Sequence, residues 1–169
     1  VSEIEKRKQA ALKLVGLGYT QSLDFIKLIT IYINQPGIED LMKQGIRLHD
    51  FEYIYGDVSE IEKRKQAALI LAEHGYVPTS ENIEIYFQHQ QQPGIEDLMS
   101  QGIRLYEFEY IYGDGSKIED RKDAALKLVE HSYEPTSKNI EIYIKYKQQP
   151  DIEDLMKQKL ELHEIEYIY

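Results

Sequence analysis

A hydrolytic or metal-dependent site needs His, Asp, Glu or Cys side chains that converge, and the chain offers five histidines (His49, His74, His89, His131 and His163) and no cysteine. No two of them stand four residues apart, the spacing that puts two imidazoles on one helical face around a zinc ion. His49 and His163 occupy the same place in an internal repeat that Tyr106 fills in another copy, and His74 and His131 share a place with Leu17. A ligand or general base does not tolerate exchange for Leu, so these read as packing or surface positions. The paired carboxylates Glu39-Asp40, Glu96-Asp97 and Glu153-Asp154 each follow a helix start, where the positive end of the helix dipole favours them without chemistry. The sequence has no glycine-rich phosphate loop, no nucleophile elbow and no calcium loop with alternating oxygen ligands. Without cysteine, disulfides, thiolate catalysis and Cys-based zinc sites are excluded. The expectation is no catalytic residue, no cofactor and no metal ligand: the chain reads as a non-enzyme.

What would have to position any site is a repeat. Ser2-Glu-Ile-Glu-Lys-Arg-Lys-Gln-Ala-Ala-Leu12 recurs unchanged from Ser59 and, with three substitutions, from Ser116, a spacing of 57 residues both times. Pro36–Met42 returns as Pro93–Met99 and as Pro150–Met156, where Asp151 replaces the glycine, and Glu52-Tyr53-Ile54-Tyr55 returns at 109–112 and 166–169. The copies run 2–58, 59–115 and a shortened 116–169. They begin and end in register, which suits a segment of a longer array or an assembled repeat.

Composition narrows the classes. With 42% hydrophobic residues among 169, the chain can bury a core. No apolar run approaches the roughly 20 residues that cross a bilayer, and the N-terminal residues are too charged for a signal peptide, so a cytoplasmic location is expected. The net charge of −10 is concentrated in copy 2, which holds four basic against ten acidic residues. Such a surface repels phosphate backbones and argues against direct nucleic-acid binding. The basic cluster Lys6-Arg7-Lys8 and its equivalents read as intrahelical pairs, Glu3 with Arg7 and Glu5 with Lys8.

Each copy predicts three helices. The first starts at a capping box, Ser2 with Glu5, Ser59 with Glu62 and Ser116 with Glu119. It places Ile4, Ala11, Leu12 and Val15 on one face and stops at Gly18, Gly75 or, in copy 3, Ser132. The middle segment satisfies both periods: Ile140, Ile142, Ile144 and Tyr146 alternate as a strand would, while Ile140, Tyr143, Ile144 and Lys147 share a helical face. The capping pairs Thr79-Ser80 and Thr136-Ser137 favour helix over an α/β repeat. The third segment, Ile38 to Tyr55, reads as one long amphipathic helix with Gly45 and Gly102 permitting close packing, and Lys159 in their place implies an uncrowded last copy. The fold expected is all-α: three tandem repeats of three helices each, stacked as a short solenoid, because the junction at 55–59 is too short for a flexible linker. The architecture resembles armadillo and HEAT arrays in outline, without their sequence signatures.

Fourteen tyrosines and no tryptophan mark the chain. Tyr19, Tyr76 and Tyr133 share one repeat position, and the pairs Tyr53/Tyr55, Tyr110/Tyr112 and Tyr167/Tyr169 share others, as packing between copies would require; tyrosine is also a favoured interface residue. The stretch 16–35 and its equivalents change most between copies, so a partner is expected to be read there. Candidate partner-binding residues are Phe25, Ile29, Tyr32, Tyr86, Phe87, His89, Tyr143 and Tyr146. In copy 1 this segment is apolar nearly all round, and a face centred on Phe25, Ile29 and Tyr32 is expected either to dock a partner or second copy, or to pack deeper. The function expected is a helical-repeat scaffold binding another protein. The alternatives are an acidic inhibitor that imitates nucleic acid, with Glu81, Glu84, Glu96, Asp97, Glu107 and Glu109 on one face, and an engineered or reconstructed repeat without a cellular role.

Overall fold

The structure, a computed structural model, describes residues 2–20 and 22–169. Among them the chain forms twelve α-helices and two short 3-10 turns, with no strand. The middle segments are helices: α2 (Leu23–Tyr32), α6 (Ser80–His89) and α10 (Ser137–Tyr146). Ser22, Thr79 and Thr136 cap them, their hydroxyls accepting the amides of Phe25, Asn82 and Asn139 at 3.1 Å each. The first segments are α1 (Glu3–Gly16), α5 (Ile61–Glu73) and α9 (Ile118–Glu130). Gly18 (φ 81°) and Gly75 (φ 85°) end the first two in the left-handed region, and Ser132 is forced into the same conformation (φ 66°).

The third segment is not one helix but two, so each copy has four helices and not three: α3 (Ile38–Lys43) and α4 (Leu48–Tyr55), α7 (Ile95–Ser100) and α8 (Leu105–Tyr112), α11 (Ile152–Lys157) and α12 (Leu162–Ile168). Gly45 and Gly102 make the break by adopting φ 72° and 73°, and a Cβ on either would meet nothing, so they serve the turn and not close packing. Lys159 takes the same conformation (φ 64°), so its presence says nothing about a neighbour. The serine cap of the expected capping box also forms only in copy 1, where Ser2 Oγ accepts the Glu5 amide at 3.2 Å. In the later copies Asp57 and Asp114 cap the 3-10 turns instead, accepting the Ser59 and Ser116 amides at 3.1 and 3.0 Å.

The described residues fall into two compact units, one up to Phe87 and the other from Gln88 onward, the division passing through α6. In the first, Leu14, Ile29, Leu41, Phe51, Ile54, Leu71 and Ile83 have no exposed surface. In the second, Leu98, Phe108, Ile111, Leu128, Ile140 and Ile165 are equally buried. Each such side chain contributes about 1.5–3 kcal/mol by leaving water. No helix among the described residues is long and apolar enough to cross a membrane.

Candidate partner-binding surface

The second helix of each later copy is held by the copy before it. In the first unit Asp50, 1% exposed, accepts the Ser80 amide at the start of α6 at 3.0 Å, a carboxylate on the positive end of a helix. In the second unit Glu107 faces the amide of Ser137 at the start of α10 in the same way, and burial raises its pKa. Arg64 donates to the carbonyl of Tyr53 at 2.7 Å and lies 4.1 Å over its ring; Arg121 repeats both contacts with Tyr110 at the same distances. Lys65 donates to the Pro36 carbonyl at 3.1 Å and presses on Gly37, where a Cβ would come within 2.8 Å of its Cδ; Lys122 presses on Gly94 equally closely. The basic cluster is therefore only in part an intrahelical feature. Lys65–Glu62 and Lys122–Glu119 pair at 3.0 Å as expected, but Glu3 pairs with Lys6, and the arginines of copies 2 and 3 reach back to the preceding tyrosine. These cross-repeat contacts were missed in the sequence; their signal was that arginine occurs in all three copies at positions 7, 64 and 121.

With the helix so held, its inward side takes most of the candidate residues. Ile29 is fully buried, which corrects the expectation of a docking face around it. Phe25 packs against Tyr19 and Phe51 at ring separations of 5.3 and 6.5 Å, and Tyr32 stacks on Tyr55 at 5.1 Å. Copy 1 thus packs this helix deeper, and its exposed apolar residues are instead Leu23 and Ile31. His89 and Tyr146 repeat the Tyr32 stack, on Tyr112 at 5.6 Å and Tyr169 at 5.9 Å. Both His89 nitrogens are buried without a hydrogen-bond partner, and burial lowers its pKa below the usual 6.5. Tyr86 and Phe87 are half-buried, with Lys63 standing 4.7 Å over the Phe87 ring. Tyr143 is half-buried and its pKa is raised by burial.

The outward side differs between copies as well. Positions 24, 27 and 31, their equivalents 81, 84 and 88, and 138, 141 and 145 are exposed in every copy and lie on one helical stripe. They read Asp-Lys-Ile, Glu-Glu-Gln and Lys-Glu-Lys. One frame thus displays three different surfaces.

Of the six carboxylates considered as phosphate mimics, Glu107 is buried at 7% and occupied at the helix start, and Glu84 accepts a hydrogen bond from the Tyr53 hydroxyl. Glu39 and Glu153 pair with Lys13 and Lys127, whose hydrogen bonds hold their pKa values low. Glu161, His163 and Glu164 come together on the surface near α12, all exposed. Compared with known proteins, the chain matches no family model, no curated protein and no solved structure.

Proposed function

We propose that the chain is a non-enzymatic helical-repeat scaffold whose three copies stack as a short solenoid and bind another protein in the cytoplasm. What supports this most is the exposed stripe on α2, α6 and α10, which reads Asp-Lys-Ile, Glu-Glu-Gln and Lys-Glu-Lys in the three copies while the isoleucine at positions 26, 83 and 140 recurs. Exposed positions can differ at little cost to the fold, and a scaffold reading a partner would use that freedom. Half-buried Tyr86, Phe87 and Tyr143 flank the stripe and supply rigid apolar edges beside its charges.

The test is affinity capture from a lysate by the native chain and by a variant carrying Glu81→Ala, Glu84→Ala and Gln88→Ala. Native circular dichroism and melting in the variant establish that the frame is intact. The reading requires a protein retained by the native chain and lost by the variant; equal retention by both, or no retained protein, overturns it.

A further inference from the structure

Where the second copy meets the third, the end of α8 and the starts of α9 and α10 enclose a cleft of about 310 Å³ whose walls include Tyr110, Lys117, Arg121, Ile144 and Lys145. Arg121 is fixed by the repeat itself, donating to the Tyr110 carbonyl at 2.7 Å and lying 4.1 Å over the ring. The two acidic side chains of the lining are engaged: Asp120 pairs with Lys147 at 3.2 Å, and Glu141 lies at the Tyr110 hydroxyl. Lys117 and Lys145 are exposed and form no ion pair among the described residues; the Lys145 ammonium stands 5.1 Å from the centre of the Tyr146 ring. The equivalent positions one copy earlier read differently, with Glu60 for Lys117, Lys63 for Asp120, Phe87 for Ile144 and Gln88 for Lys145. There Glu60 pairs with Lys63 at 4.0 Å, and Lys63 in turn covers the Phe87 ring at 4.7 Å. In the third copy no lysine covers the smaller Ile144, and the cations of the rim are left without a carboxylate.

We propose that this cleft takes an acidic segment of a partner protein, a carboxylate side chain seating at Lys117 and Lys145 and an apolar neighbour lying on Ile144 and the Tyr110 ring. The proposal rests on the reading of the chain as a protein-binding scaffold and adds the chemistry that the third copy recognises. Glu141 and Lys145 belong to the exposed stripe of α10, so the cleft continues the surface on which that reading stands. Its volume is at the small end of ligand pockets, which run from about 300 to 1,000 Å³, and suits a short extended segment with one or two inserted side chains. The chain carries a net charge of −10, so an acidic segment is repelled over most of the surface and attracted here, which favours this site over others. The attraction acts at contact range, because at physiological salt charges beyond about 8 Å are screened.

The experiment is fluorescence anisotropy of a fluorescein-labelled hexapeptide of alternating glutamate and leucine, titrated with the full chain, beside its counterpart of alternating glutamine and leucine. The variants are Lys117→Glu and Lys145→Gln, which install the residues found at Glu60 and Gln88, and the control is Lys138→Glu, which installs the residue found at Glu81 on the same stripe but outside the cleft. All three lysines are exposed, so the variants keep their fold, checked by circular dichroism. The native chain should bind the glutamate peptide about tenfold more tightly than the glutamine peptide, and less tightly as salt is raised. Lys117→Glu, which removes an attraction and adds a repulsion, should weaken binding about tenfold, Lys145→Gln about threefold, and Lys138→Glu less than twofold. No binding of the glutamate peptide, equal binding of both peptides, an equal loss in Lys138→Glu and Lys117→Glu, or competition by inorganic phosphate as strong as by unlabelled peptide overturns the proposal. A chain that captures a lysate protein through Glu81, Glu84 and Gln88 yet ignores the glutamate peptide overturns this proposal alone and leaves the scaffold reading standing.

Discussion

Replacing Asp50 by Ala isolates the cap between repeats. Its carboxylate is 1% exposed and accepts the Ser80 amide at 3.0 Å on one oxygen and Arg47 Nε at 3.3 Å on the other. Arg47 has a 59% exposed side chain, so water replaces its lost partner, whereas the first amide of α6 loses a buried charged acceptor. A helix cap contributes about 1 kcal/mol and a hydrogen bond to a charged group about 1.5–3, which sets the cost at about 2 kcal/mol. Asp50→Asn, which keeps a neutral acceptor, should cost about half as much. The assay is native-state hydrogen exchange. In Asp50→Ala the amides of the first turn of α6 should exchange about thirtyfold faster, tenfold corresponding to about 1.4 kcal/mol. If those amides stay within about twofold of native while the amides of α4 accelerate, Asp50 serves its own helix and the reasoning about the junction fails.

Ser132→Gly should raise stability by about 1 kcal/mol in urea unfolding, because Ser132 holds φ 66° where copies 1 and 2 have glycine; a loss of stability would contradict the strain. His89→Tyr restores the residue found in copies 1 and 3 and removes two unpartnered buried nitrogens. Burial lowers the His89 pKa, so the folded state favours the neutral ring: its stability is present above 6.5 and is lost as pH falls through the lower folded value, and the variant should lose that part of the acid sensitivity. Burial raises Tyr55 and Tyr112 from 10.0 to about 12, so the stability of each is full below 10 and is lost between 10 and about 12, and an alkaline melting series should show it. Tyr55→Phe should cost nothing at neutral pH because its hydroxyl is buried without a partner, while Tyr112→Phe loses the bond to the Pro93 carbonyl and about 1 kcal/mol.

The repeat and its helices were legible because identical residues at a spacing of 57 admit no other alignment, and Thr136 and Gly18 carry caps and stops that work locally. The break at Gly45 was not, since the apolar residues Leu41, Met42 and Leu48 keep helical spacing across it and only the backbone conformation of Gly45 reveals the turn. In α2 the pattern could not choose an inward face: Ile29 and Ile31 are equally apolar, yet one is fully buried and the other 69% exposed. The expected buried face of α1 failed for a related reason. Ile4, Leu12 and Val15 are exposed in copy 1 and Ala10 and Leu14 are buried, since both sets keep helical spacing and the pattern does not choose between them. The junction residues Asp50, Arg64 and Lys65 are polar, and polarity alone reads as surface until the partner chain segment is placed.

The central claim, that the copies act as one array in series, is tested most directly on residues 59–115 produced alone. Cutting them out removes Asp50 from Ser80, Tyr53 from Arg64 and Gly37 from Lys65 on one side, and Ser137 from Glu107 and Arg121 from Tyr110 on the other. A 57-residue piece without these contacts buries too little to be more than marginal. The account predicts that the isolated copy is unfolded, or unfolds at far lower denaturant than the Leu71 and Ile83 amides become exposed in the full chain. An isolated copy with the same midpoint as those amides would contradict it.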